Sequence, residues 1–178
     1  MIHPIVAVAF SLVLAVILFA GASHKLRAPH RFARQIDDYA LLPGAAVALA
    51  ARAVPVVEVL IAIALLVPGL RAWGAASAGL LLALYTGAIA INLFRGRRDI
   101  DCGCSGPGLE RPLSPALLVR NGVLMAMAVI AALPAGAAAL HGFGLFLIGA
   151  SVAAILILYT ATEGLLTNQP RLKSLSGR

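Results

Sequence analysis

Charge is scarce in this sequence. Only 12% of its 178 residues are Asp, Glu, Lys or Arg, against about 25% in an ordinary soluble domain, so the chain cannot cover a water-facing surface. It also lacks a soluble domain, a long linker and an internal repeat. Its apolar stretches do not alternate with polar residues, which excludes the strands of a membrane barrel. No Lys or Arg precedes the first apolar run. That run therefore reads as an uncleaved helix rather than a signal peptide, although Ala20-Gly21-Ala22 resembles a peptidase site. The histidines, His3, His24, His30 and His141, show no paired spacing within a span, so neither a haem nor a quinone site is legible, and no cofactor or resident metal is expected.

What is present is hydrophobic: 61% of residues, with a mean hydropathy of +0.98. A helix needs about 20 apolar residues to cross the hydrocarbon core, and only helices or closed barrels satisfy their backbone there. Five uncharged or nearly uncharged runs qualify, at about 4–22, 43–67, 72–94, 121–140 and 142–162. The expected fold is all-α, a polytopic bundle forming a single integral membrane domain over 1–178. The last two runs, separated only around His141, predict a tight antiparallel hairpin. Frequent small residues such as Gly74, Gly79, Gly87 and Gly149 allow close helix approach in lipid.

The few charges are unevenly placed. Five spans put 23–42, 95–116 and the tail from Glu163 on one side, with Lys25, Arg27, Arg31, Arg34, Arg95, Arg97, Arg98, Arg111, Arg171, Lys173 and Arg178; the other side has Arg71. Cytoplasmic loops carry the basic excess, so the N-terminus is expected outside and the 95–116 loop inside. The net charge of +7 is then a topology signal, not a nucleic-acid footprint, because the basic residues flank membrane helices. After Pro29, the residues Phe32, Ile36 and Tyr39 recur at helical spacing with Arg31, Arg34, Asp37 and Asp38 between them. This pattern predicts an amphipathic interfacial helix that anchors to lipid.

Two features carry chemistry. Cys102 and Cys104, the chain's two cysteines, stand together in a polar Gly-rich loop, where inert buried thiols make little sense. A Cys-Gly-Cys pair closes only a small, strained ring, and strained disulfides are the labile, oxidising kind; Gly103 relieves crowding at the bend. The neighbouring Arg95, Arg97 and Arg98 favour thiolate, while Asp99 and Asp101 oppose it. A redox dithiol is the favoured reading. A half zinc site completed by His24 and His30, or a structural pair, are the alternatives. Glu58 lies near the middle of the second run, where an ionisable group is costly and functional by default. It reads either as a proton relay or as a neutral carboxyl tying two helices. Arg52 is six residues away and off its face, and Pro55 between them is expected to kink the helix. Asn92, Arg120 and Asn121 read as interfacial or inter-helix contacts, and Glu163 as the close of the last span. Tyrosines and Trp73 are spread as interface anchors are.

The segments Gly21–Leu26, Tyr39–Pro43, Pro55–Glu58, Asn92–Arg97, Asp101–Cys104 and Arg120-Asn121, in that order, resemble the MauE family within the wider DoxX-like group of small helical membrane proteins. Cys102-Gly103-Cys104 is the most specific part. The resemblance implies a bacterial inner-membrane protein that handles disulfides during maturation of an exported client, the small subunit of methylamine dehydrogenase in the methylamine system. It also implies a thioredoxin-like partner on the exported side, and it carries Cys102 and Cys104 over as the dithiol, thiol–disulfide oxidoreductase chemistry. A non-catalytic scaffold for a soluble oxidoreductase is the alternative, and a small proton-coupled transporter using Glu58 is a weaker one. Charge bias and an exported client pull the cysteines to opposite sides. Reaching the loop from both sides, relaying electrons across the bilayer, or a different span count would each reconcile them, and the relay is favoured.

Overall fold

The computed structural model describes residues 2–101, 113–136 and 141–175, with side chains described up to 168. Six helices form: α1 Pro4–Arg27, α2 Pro29–Asp38, α3 Gly44–Leu66, α4 Arg71–Phe94, α5 Pro115–Ala132 and α6 Gly142–Leu175. All but α2 are long and apolar enough to cross a membrane, which makes the chain a multi-pass membrane protein of five spans. Local chemistry sets several of the starts. His3 accepts the Ile5 N–H at 3.3 Å ahead of Pro4, and Pro29 and Pro115 open α2 and α5, where a missing N–H costs nothing.

Three helices differ at their ends from the sequence expectation. α1 runs five residues past Ala22 and takes Lys25 into the helix. α5 starts at Pro115 instead of residue 121 and ends at Ala132, because Arg120 is paired inside the bundle rather than marking a boundary, and Pro134 prevents continuation. α6 continues well beyond residue 162. α3 passes through the buried Pro55 as one helix.

The most extensive contacts are α4 with α5 and α1 with α3; α3 joins the two pairs, and α1 also meets α5 and α6. Val13, Leu14 and Leu18 of α1 meet Ile61 and Leu65 of α3, Leu81 and Leu82 of α4, and Leu124 and Met127 of α5 in the main core. The expected α5–α6 hairpin does not form as a tight pair: α5 gives its packing face to α4, and α6 lies mainly along α1. Only 6% of the α6 span is buried, against 44% for α1, so α6 is peripheral and faces lipid. Between α3 and α4, Gly74 is sterically required. A Cβ there would lie 2.8 Å from the Leu65 backbone N.

The two ends of the bundle are distinct. At one, Ile2 N–H donates to Pro134 O at 3.0 Å and Gly136 N–H donates to Ile2 O at 3.1 Å, while Arg71 donates to Ala131 O and Leu133 O. This caps the last carbonyls of α5 with a cation. The other end gathers the end of α1, all of α2, the start of α3, the end of α4 and the start of α5. There Ile89, Ile100, Leu113 and Leu117 form a second, smaller core, with Tyr39 and Leu93 packed on it.

Candidate functional site

The buried chemistry sits at that second end. Glu58 on α3 is 2% exposed and Lys25 on α1 is 6% exposed. Their side chains form an ion pair, and the Tyr85 hydroxyl on α4 donates to the same carboxylate oxygen at 2.8 Å. The Lys25 ammonium also reaches the Tyr85 hydroxyl at 3.4 Å and stands 5.1 Å from the Phe32 ring centre and 5.0 Å from that of Tyr85. Three helices and the interfacial α2 therefore converge on one acid and one base. A buried charge persists when it is paired and hydrogen-bonded, and each partner here supplies what the other needs.

Helix α2 does more than anchor to lipid. Its apolar side buries Phe32, and Arg31 and Gln35 both donate to Asp101 Oδ2, at 3.1 and 2.7 Å. Asn92, fully buried, donates to Tyr39 O at 3.2 Å, and Arg97 donates to Asn92 Oδ1 at 3.3 Å. Leu113 N–H donates to Arg98 O at 2.9 Å. The chain is thus fixed to the bundle immediately before residue 102, where Asp101 is tied to α2, and again at residue 113, where Leu113 is tied to Arg98. Cys102 and Cys104, the pair singled out by the sequence, lie outside the described residues.

A cavity of about 360 Å³ opens between α2, α3 and α4. Its walls are almost wholly apolar, with Phe32, Tyr39 and Tyr85 as aromatic surfaces, Lys25 and Gln35 as polar points, and Ala50 and Ala88 as small floor residues. A volume of that size falls in the range of small-molecule sites, about 300–1,000 Å³.

A second polar network ties the periphery on. Arg120 donates to Glu163 Oε1 at 3.0 Å and, through two nitrogens, to Asn121 Oδ1; Asn121 donates to Thr86 Oγ1 at 3.2 Å. Glu163 is therefore an inter-helix partner rather than a span terminus.

Of the residues expected from sequence, Glu58 is buried at the convergence point, whereas Arg52 is exposed. Lys25, a topology charge by sequence, and Tyr85, one of the scattered interface aromatics, are both part of the site in the structure. The available signal was the requirement of a lipid-buried carboxylate for a cation. Among the described residues no three His, Cys, Asp or Glu side chains converge as metal ligands.

Comparison with known proteins gives consistent matches. The family model described as methylamine utilisation protein MauE matches residues 3–134. Methylamine utilization protein MauE of Paracoccus denitrificans is 36% identical over 182 residues, covering 100% of this chain and 98% of that protein. The protein of the same name from Methylophilus methylotrophus is 44% identical over 126 residues, 71% of this chain and 64% of that protein. The one from Paracoccus versutus is 35% identical over 180 residues, 99% and 97% of the two chains. No solved structure matches.

Proposed function

The chain belongs to the MauE family, and from that membership we propose that it is an inner-membrane thiol–disulfide redox protein supporting maturation of an exported, disulfide-bearing client in methylamine utilisation. The working group is the Cys102–Cys104 dithiol. In one turn a thiolate attacks the disulfide of a thioredoxin-like partner, a mixed disulfide forms, and the second cysteine displaces the partner's thiol. The chain's dithiol becomes a disulfide, the partner's disulfide becomes a dithiol, and two electrons and two protons pass between them. The same exchange in reverse oxidises the partner. Glu58, paired with Lys25 and Tyr85, is the internal group proposed to take up and return protons.

The observation that supports this most directly is the anchoring of the segment around the chain's two cysteines. Asp101 is held by Arg31 and Gln35, and Leu113 is held by Arg98, so the cysteine segment departs from and returns to a fixed frame. By the positive-inside rule that end is cytoplasmic and the N-terminus outside. A client on the exported side then requires either access to the cysteines through the bundle or passage of electrons across the bilayer.

Labelling with a membrane-impermeant maleimide, on spheroplasts and on inverted vesicles, with and without reductant, tests both points. Labelling only after reduction is expected, and the preparation that labels identifies the face served. Cys102→Ser is expected to abolish client disulfides at normal membrane level. Free labelling without reductant, or labelling released only by a chelator, would replace the redox reading with a scaffold or metal-binding one.

A further inference from the structure

The proposed redox cycle needs an electron carrier, and the cavity between α2, α3 and α4 has the chemistry to hold one. We infer that this cavity binds a neutral, bilayer-soluble quinone, with a ring carbonyl accepting a hydrogen bond from Lys25 beside Tyr85; the assignment rests on the dithiol function proposed above.

Three observations select this occupant over an ordinary lipid. The cavity is almost wholly apolar, yet the buried Lys25 and the half-buried Tyr85, whose ammonium and hydroxyl meet at 3.4 Å, are among its lining residues. An ammonium has three donors; Glu58 and Tyr85 account for two, which leaves one for a carbonyl. An acyl chain offers no acceptor for it. Secondly, the charge of Lys25 is balanced by Glu58, so the site has no surplus positive charge with which to hold a phosphate headgroup. A neutral carbonyl suits a compensated pair. Thirdly, the rings of Phe32, Tyr39 and Tyr85 line the same space, as a flat conjugated ring requires.

The cavity is also placed for the chemistry. Gln35 lines it and donates to Asp101 at 2.7 Å, and Asp101 immediately precedes Cys102 in the chain. In the step that follows, the dithiol loses two electrons and two protons as its S–S bond forms. The quinone takes up both electrons and both protons, and its two carbonyls become the hydroxyls of a quinol. Histidine spacing is silent on this site, because its polar residues are a lysine, a tyrosine and a glutamine on three separate helices.

The test uses the full chain in lipid nanodiscs with a photoreactive azidoquinone as probe and decylubiquinone as competitor. Expected is saturable labelling of peptides from α2, α3 or α4, competed by decylubiquinone but not by added phosphatidylcholine. Ala88→Phe, which fills the floor and leaves the polar atoms in place, should weaken labelling at least tenfold. Lys25→Met, which removes the donor to the ring carbonyl, should weaken it by about tenfold. The Cys102→Ser/Cys104→Ser protein should still bind, and the reduced wild type should turn one equivalent of decylubiquinone into quinol per disulfide formed, under anaerobic conditions. Labelling that does not saturate, or is unchanged in a folded Ala88→Phe protein, would mean acyl chains fill the cavity and would overturn the site. Saturable binding without quinol formation would leave the site standing and overturn the dithiol function instead.

Discussion

Removing one half of the Lys25–Glu58 pair should cost far more stability than removing both. Lys25 is 6% and Glu58 2% exposed, and the environment is lipid and packed helix, so neither charge can find water by a small rotation. Lys25→Met leaves the carboxylate buried without its cation, and Glu58→Leu leaves the ammonium buried without its anion. Each single change is expected to cost about 3–5 kcal/mol, the usual penalty for orphaning one member of a buried pair. Tyr85→Phe deletes one hydrogen bond to a charged acceptor and should cost about 1.5–3 kcal/mol. The double variant Lys25→Met/Glu58→Leu exchanges two charges for two apolar side chains of similar size, and such exchanges are often neutral. It should lie within about 1 kcal/mol of the wild type, so that the double-mutant cycle shows a coupling well above the additive limit of about 0.5 kcal/mol. Reversible unfolding in mixed micelles, followed by circular dichroism against the mole fraction of denaturing detergent, measures all four proteins. Single variants costing under about 1 kcal/mol, or penalties that simply add in the double, would refute the buried pair. The double variant also separates roles. A network that only stabilises is restored with it, whereas one that moves protons leaves a folded protein unable to support client disulfides.

Gly74→Ala should destabilise the α3–α4 pair by about 1–3 kcal/mol, because the new Cβ meets backbone at 2.8 Å from Leu65 N and 2.9 Å from Ala64 C; the same unfolding titration reads it, and a neutral result would mean that α3 and α4 do not approach as described. Asp101→Ala removes the acceptor shared by Arg31 and Gln35 and should raise amide hydrogen exchange across α2, with the core of α1 unchanged. Unaltered protection in residues 29–38 would show that α2 is held by its apolar face alone.

The five spans were legible because hydrocarbon thickness imposes length and composition on any crossing helix. Their ends were not. The sequence expectation closed the first run at Ala22, yet Ser23–Arg27 continue the helix, since Ser23 bonds back to Phe19 O at 2.7 Å and Lys25 finds its counter-ion inside the bundle. The fourth run opens at residue 121 in the sequence, yet the helix begins at Pro115 and carries Arg120 inside it, where the inter-helix reading of Arg120 is met by Glu163. Glu58 was legible from cost alone. Its partners were hidden by plausible local explanations, with Lys25 in a basic flank and Tyr85 among scattered aromatics. The cavity had no signature at all in one dimension, since its wall is assembled from α2, α3 and α4 and its shape depends on small residues such as Ala50 and Ala88.

The burial of Lys25 bears on topology, because the charge asymmetry in the sequence includes it among the loop cations. Arg31 and Arg120 are likewise committed, to Asp101 and Glu163. If orientation followed net charge, neutralising these three would weaken the bias. The rule instead counts basic residues near span ends, and acidic ones contribute little. Even with all three set aside, Arg27, Arg34, Arg95, Arg97, Arg98 and Arg111 remain in the connections at that end, against Arg71 alone at the other. Arg71 is itself spent on the last carbonyls of α5. Arg97 is likewise committed, to Asn92 Oδ1 and Tyr39 O, so the count near span ends stays one-sided whichever pairings are set aside. Most of the basic excess near span ends does not depend on the Lys25–Glu58 pair, so variants of that pair should change stability without inverting the protein.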